Sequence, residues 1–218
     1  MSIDALQLRA DRMLRDAGIM PVLTVDSVEQ GLRMAEALAE GGLTTLELTL
    51  RTPAALAALS AMKQAQPQLL IGAGTVLSPQ QVQSSIDAGA DFLVTPGTPP
   101  ALAEALAAAP VPAVPGAATP GEFVALLGHG FRVCKLFPAG VLGGPAMARA
   151  LAGPFPELQL CANGGVSEAS AAGYLAEPNV VCVGGSWMLS KDWVAAGEWH
   201  RVRASAAAAA AIVAGLRR

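Results

Sequence analysis

Charge and aromatic rings are both scarce in this chain: Asp, Glu, Lys and Arg together make up 14% of it, and Phe, Trp and Tyr only 4%. With a formal net charge of −3 and no basic block, it offers neither the cationic track that a phosphate backbone needs nor the rings on which bases stack. Nucleic acid is excluded as a partner. Histidine is rarer still. His129 follows a helical stretch and His200 sits in a polar segment, and neither shares a motif with a carboxylate or nucleophile, so both read as surface residues. The three cysteines, Cys134, Cys161 and Cys182, lack metal-ligand spacing and each falls in a strand-like run. That pattern excludes a zinc site and points to buried, reduced thiols.

Long uninterrupted apolar runs are missing too. The opening MSIDALQLRADRMLRDAG mixes charges into a helical pattern and has no apolar core followed by a small-residue cleavage site, so export is not expected. The Ala-rich stretch at 204–216 is too short to span a bilayer and reads as a C-terminal helix. The expectation is a cytoplasmic protein without membrane contact.

What is present is apolar material, 53% of the residues, enough for a large core. Short Leu-rich or β-branched runs begin near residues 19, 44, 69, 92, 112, 132, 158 and 180, a spacing of 20 to 26 residues. Between them lie amphipathic segments such as SVEQGLRMAEALAEGG and SPQQVQSSIDAGA, which open on Ser, Thr or Pro and mostly close on Gly, the start and stop signals of helices. Eight alternating βα units predict a parallel sheet closed into a (β/α)8 TIM barrel, with an extra N-terminal helix over about 2–17. An open doubly wound sheet is the alternative. No linker composition interrupts the chain, so one domain is expected over 1–218.

Strand parity locates the chemistry. In TTLELTLRT, Leu46, Leu48 and Leu50 suit a helix-facing side, which turns Thr45, Glu47, Thr49 and Arg51 toward the barrel interior. In RVCKLFPAG, Val133, Lys135 and Phe137 share one face, so Lys135 points inward near the C-terminal end of its strand, where barrel enzymes keep their catalytic groups. An ammonium among apolar neighbours is costly to keep charged, so a neutral, nucleophilic Lys135 is expected. The plainer reading is a structural ion pair with Glu47. IGAGTV at 71–76 supports a pocket but also suits a tight turn. NGG at 163–165 and GGS at 184–186 follow the seventh and eighth strands, where backbone N–H groups and a helix N-terminus can seat a phosphate; two ordinary glycine turns would look the same.

LELTLRT, IGAGTV, KLFPA, the seventh-strand GGV and CVGGSW, in this order, resemble the 2-keto-3-deoxy-6-phosphogluconate aldolase family, also named for 4-hydroxy-2-oxoglutarate cleavage, over about residues 18 to 200. The resemblance implies a homotrimeric class I aldolase of the Entner–Doudoroff pathway that needs no metal or other cofactor. It would cleave 2-keto-3-deoxy-6-phosphogluconate, and by extension 4-hydroxy-2-oxoglutarate or the galactonate epimer. By the same resemblance Lys135 forms the imine and Glu47 is the acid/base. Arg51 and Thr75 hold pyruvate, Phe137 and Pro138 wall the imine, Pro96 is a further substrate-binding residue, and Gly164, Gly165, Gly184, Gly185 and Ser186 seat the phosphate. The chain departs from the family in reading CANGG for CPTGG, TPG for SPG, and AGVLGG without a glutamate after the catalytic strand. Asn163, expected at the pocket mouth, would then rearrange hydrogen bonds to the sugar and alter discrimination at C4. Other classes left open are a phosphosugar isomerase or synthase that makes no imine, and a non-catalytic phosphosugar-binding barrel.

Overall fold

The computed structural model describes residues 2–216. Strands β1 (Ile19–Leu23), β2 (Thr45–Thr49), β3 (Leu70–Gly74), β4 (Leu93–Val94), β5 (Ala113–Val114), β6 (Gly116–Ala117), β7 (Val133–Leu136), β8 (Gln159–Asn163) and β9 (Val180–Gly185) form one sheet in the order β5-β4-β3-β2-β1-β9-β8-β7-β6. Every pairing is parallel. The two ends of that order, β5 and β6, are separated by Pro115 alone, so they are halves of one barrel strand and the eightfold ring closes through it.

The expected fifth strand is therefore split, and the cause is local. Pro115 has no N–H to give to a ladder. Its carbonyl still accepts from Lys135 N at 2.9 Å. On the other side Thr95 Oγ1 accepts from Gly116 N at 2.8 Å, and Thr98 Oγ1 donates to Gly116 O at 2.9 Å, so threonine side chains stand in for the missing backbone bonds.

Helices α2 (Val28–Glu40), α3 (Ala55–Ala65), α4 (Pro79–Asp87), α5 (Pro100–Ala108), α6 (Pro120–Gly128), α7 (Pro145–Ala152) and α8 (Glu168–Leu175) follow successive strands, with α9 (Lys191–Ala195) and α10 (Trp199–Leu216) after β9. The starts agree with the sequence signals: Ser27, Ser78, Thr119 and Ser167 each accept a backbone N–H of their helix through the side chain. The C-terminal helix begins at Trp199 rather than near 204. WHRVR looks polar, yet Val202 is fully buried and Trp199 packs on the core while Arg33 lies over its ring at 5.9 Å. The five-residue α9 was not legible in the sequence. His129 caps the C-terminus of α6, half-buried, and His200 is exposed.

Apolar side chains divide by parity into two cores. Leu46, Leu48, Ile71, Leu93, Cys134, Leu136 and Leu160 pack outward under the helices. Met20, Phe92, Val94, Val114, Val133 and Cys161 fill the barrel, together with Ala10, Met13 and Leu14 of α1 (Ile3–Ala17). The extra N-terminal helix is thus the floor of the barrel. Buried Gln7 ties it down: its Nε2 donates to Ala113 O at 2.9 Å, and its Oε1 accepts from Arg132 N at 2.9 Å and Val133 N at 2.8 Å. With one end closed, only the C-terminal ends of the strands remain for a ligand.

Gly41 lets α2 approach α10, since a Cβ there would lie 2.4 Å from the Ala206 methyl and 2.8 Å from Arg203 O. Gly121, in the first turn of α6, has open space around it. In urea denaturation, Gly41→Ala is expected to destabilise the fold by about 1–3 kcal/mol, the usual cost of overpacking. Gly121→Ala should be neutral or stabilising by up to about 1 kcal/mol. Equal effects of the two changes would contradict the packing seen between α2 and α10.

Candidate active site

In the eightfold ring β2 and β7 face each other across the barrel axis. Glu47 projects inward from the middle of β2 and Lys135 from near the C-terminal end of β7. The two meet: Lys135 Nζ lies 3.0 Å from Glu47 Oε1 and 3.4 Å from Oε2. Glu47 is 0% exposed and Lys135 5%. The inward direction read from parity is observed for both. The amine does not stand among apolar groups alone: the Glu47 carboxylate, the partner named by the plainer reading of the sequence, lies directly against it.

Glycines make this meeting possible. A Cβ on Gly74 would fall 2.3 Å from Glu47 Oε1, and one on Gly72 would fall 2.3 Å from the Phe92 ring. The glycines of IGAGTV thus clear the space that Glu47 and Phe92 occupy. Phe137 lies beside the amine, its ring centroid 5.3 Å from Lys135 Nζ, and a Cβ on Gly164 would press on that ring at 2.9 Å.

Asn163 is not at the mouth. It is 2% exposed, donates from Nδ2 to Glu47 Oε2 at 3.3 Å, and accepts at Oδ1 from Cys161 Sγ at 3.1 Å. The last inward position of β8 puts it beside the carboxylate. Gly184 and Gly185 are buried, and their missing side chains have packing reasons: a Cβ would meet Asn163 Nδ2 at 2.1 Å or the Trp187 ring at 2.0 Å. Gly164 and Gly165, by contrast, both take positive φ, 86° and 77°, in the turn that leads to the Ser167 cap of α8.

Thr75 directly follows β3 with φ 57°, the one non-glycine of positive φ among the described residues. A β-branched side chain rarely tolerates that region, and such strain gathers where a site demands a particular backbone. Arg51 lies two residues beyond the end of β2, exposed, so strand parity does not govern it. It lines a cleft of about 510 Å3 together with Thr24, Asp26, Ser186 and Lys191. Pro96, half-buried after β4, adjoins the Gly116 break: a Cβ on Gly116 would meet its carbonyl oxygen at 2.7 Å. Cys161 and Lys191 were missed in the sequence. Cys161 had a usable signal, since it lies two residues before Asn163 on the same strand face; Lys191 had none, because nothing in its short helix marks a cleft.

Lys63 pairs with Asp91 at 2.7 Å and donates to Leu69 O at 2.8 Å. Cys134, Cys161 and Cys182 are buried free thiols. Burial pushes the Cys134 thiol above its ordinary range. No cluster of His, Cys, Asp and Glu suited to a metal occurs among the described residues, and no helix there is long and apolar enough to cross a membrane.

Comparison with known proteins agrees with this fold. The family model for KDPG and KHG aldolases matches residues 10–205. The 2-dehydro-3-deoxy-phosphogluconate aldolase of Pseudomonas aeruginosa is 48% identical over 89% of this chain and 88% of its own length. The KHG/KDPG aldolase of Escherichia coli is 38% identical over 88% and 91%. Among solved structures, the KDPG aldolase of Legionella pneumophila, with pyruvate captured as a covalent carbinolamine, superposes with a TM-score of 0.89 at 37% identity, covering 91% of this chain and 96% of that one. The Zymomonas mobilis enzyme with 3-phosphoglycerate gives 0.86 at 37% identity, covering 93% and 95%. An inward lysine and glutamate on opposite strands of a closed barrel and a family match over most of the length lead to one conclusion: the chain belongs to the KDPG and KHG aldolase family, a family of carbon–carbon lyases.

Proposed function

We propose that the protein is a class I aldolase that cleaves 2-keto-3-deoxy-6-phosphogluconate to pyruvate and glyceraldehyde 3-phosphate through an imine on Lys135. The observation that carries this reading is the 3.0 Å contact between Lys135 Nζ and Glu47 Oε1 inside the barrel. A lysine can attack a ketone only as the free amine. Glu47 is placed to take the ammonium proton as substrate enters and to return it as the C2 hydroxyl of the carbinolamine leaves as water. The protonated imine then draws electrons from the C3–C4 bond while a base removes the C4 hydroxyl proton. Glu47, directly or through one water, is that base. Glyceraldehyde 3-phosphate departs, the enamine takes a proton at C3, and hydrolysis of the imine releases pyruvate and the free lysine.

Arg51 supplies the charge-assisted hydrogen bonds that a pyruvate carboxylate requires, with Thr75 on the adjacent strand end. Phe137 and Pro138 wall the imine, and Pro96 is a further contact for the substrate. The phosphate is assigned to Gly164, Gly165, Gly184, Gly185 and Ser186. The paired left-handed glycines before α8 support that seat, and Ser186 supports it by sharing the cleft with Arg51. The same site would accept 4-hydroxy-2-oxoglutarate or the galactonate epimer. No residue of this mechanism calls for a metal or organic cofactor. We assign the enzyme to the cytoplasm, in keeping with its three free thiols, and to a homotrimer on family resemblance.

Pyruvate with borohydride is expected to add one reduced pyruvate to the protein, located by peptide mass spectrometry at Lys135; the same adduct at Lys63 or Lys191 would refute the imine assignment. Glu47→Gln should lower kcat by roughly 10²- to 10⁴-fold, the range for losing a general acid/base, while trapping at Lys135 persists at a slower rate. Undiminished cleavage would remove Glu47 from the mechanism. Lys135→Met should abolish turnover and, by leaving Glu47 buried without its counter-charge, destabilise the fold by about 3–5 kcal/mol. Adding Glu47→Gln to that variant should recover most of the loss, and denaturant midpoints of the two variants measure it.

A further inference from the structure

The two oxygens of Glu47 are not equivalent. Oε1 faces Lys135 at 3.0 Å, whereas Oε2 is 3.4 Å from the amine and accepts from Asn163 Nδ2 at 3.3 Å. The far end of the same amide is held as well, since Asn163 Oδ1 accepts from Cys161 Sγ at 3.1 Å. A carboxylate only accepts and the thiol is the donor beside it, so the amide must turn its NH2 to Glu47 and its C=O to Cys161. The reverse would set oxygen against oxygen. Space enforces the same placement, for Asn163 is 2% exposed and lies against Gly184, where a Cβ would come within 2.1 Å of Nδ2. Cys182 pairs with Cys161 across β8 and β9. Burial first, then its neighbour Cys161 and the charge of Glu47, push the Cys182 thiol well up, so no second anion forms there.

We infer that Asn163, oriented by Cys161, is a positioning residue that keeps Glu47 aimed at the reacting carbons once Lys135 has become an imine. This rests on the imine reading above. A free ammonium has three N–H donors to hold the carboxylate, and a protonated imine has one, directed by its double bond. The lysine therefore gives up most of its hold on Glu47 at the stage when Glu47 must act. Asn163 changes no bond during the reaction and keeps Oε2 in place. The role lies on the carboxylate, in place of the sugar-reading role expected for Asn163 at the pocket mouth.

Two reactions of the same enzyme separate positioning from mere structure. Borohydride trapping of pyruvate reports imine formation, and exchange of the pyruvate methyl protons in D2O, followed by NMR, reports proton transfer at C3. Asn163→Leu, similar in volume but without a donor, should still be trapped at Lys135. Its kcat for cleavage and its methyl exchange should fall together by roughly 10- to 100-fold, the weight of a hydrogen bond to a charged group, with KM changed less than about threefold. Cys161→Ala should show the same pattern at about 2- to 10-fold, and Cys161→Ser, which keeps a donor, should restore most of the lost rate. This serine–alanine pair decides the matter if Asn163→Leu does not fold. The inference is overturned if exchange in Asn163→Leu matches the wild type. It is also overturned if trapping, exchange and KM all worsen alike, or if the Ser and Ala variants at 161 are equally impaired. A changed ratio of kcat/KM for the gluconate- and galactonate-derived substrates without slowed exchange would return Asn163 to the sugar. Absence of trapping in the wild-type protein would instead defeat the imine reading itself.

Discussion

Everything at the upper end of this barrel is arranged around one buried ion pair. Removing a carboxylate and an ammonium from water costs several kcal/mol for each ion, and their attraction offsets this only when they meet closely and their remaining hydrogen-bonding capacity is met. Lys135 and Glu47 meet that condition by spanning the barrel from opposite strands. The pair is therefore a consequence of closure: an open sheet with the same strands would leave the two groups on a flat face, far apart and hydrated.

Closure in turn depends on what is left out. A barrel of eight strands has an interior that ordinary side chains fill, and here glycines at 72, 74 and 184 are vacant positions beside Phe92, Glu47 and Asn163. The glycine that makes room lies on the next strand: Gly74, two residues beyond the Gly72 that is the register partner of Glu47, clears Glu47, and Gly184, the register partner of Asn163, clears Asn163. Glycines that look in the sequence like ligand approaches or anion seats are, in several cases, the matching halves of a packing arrangement. Gly164 and Gly165 differ because their positive φ values concern the direction of the chain, and they lie in the turn rather than in the strand.

The two ends of the barrel carry separate duties. At the N-terminal mouth α1 seals the interior with Ala10, Met13 and Leu14, and Gln7 bonds to backbone that the split fifth strand and β7 leave unpaired. At the C-terminal mouth the strained Thr75, the exposed Arg51 and the glycine turn at 164–165 remain open to a ligand. Stability gathered at the floor lets the other end hold a buried charge pair and a left-handed threonine, features that cost free energy in a resting protein.

The sequence by itself determined the alternation of strands and helices, the inward facing of Glu47 and Lys135, and the ordered motifs of the aldolase family, because period-2 and period-3.6 patterns and short motifs are local properties of a chain. It placed Asn163 beside the glycine pair but not against Glu47, and it did not show Cys161 behind it. It read Pro115 within a strand without showing that Thr95 and Thr98 would bridge the break. Only the tertiary structure decided these points, along with the charge partner of Lys135, the reason for each interior glycine, and the true start of the C-terminal helix. Glu47 and Lys135 are 88 residues apart in the chain, and the distance between them depends on how many strands the ring contains and which of them stand opposite, which no stretch of the sequence records until the ring has closed.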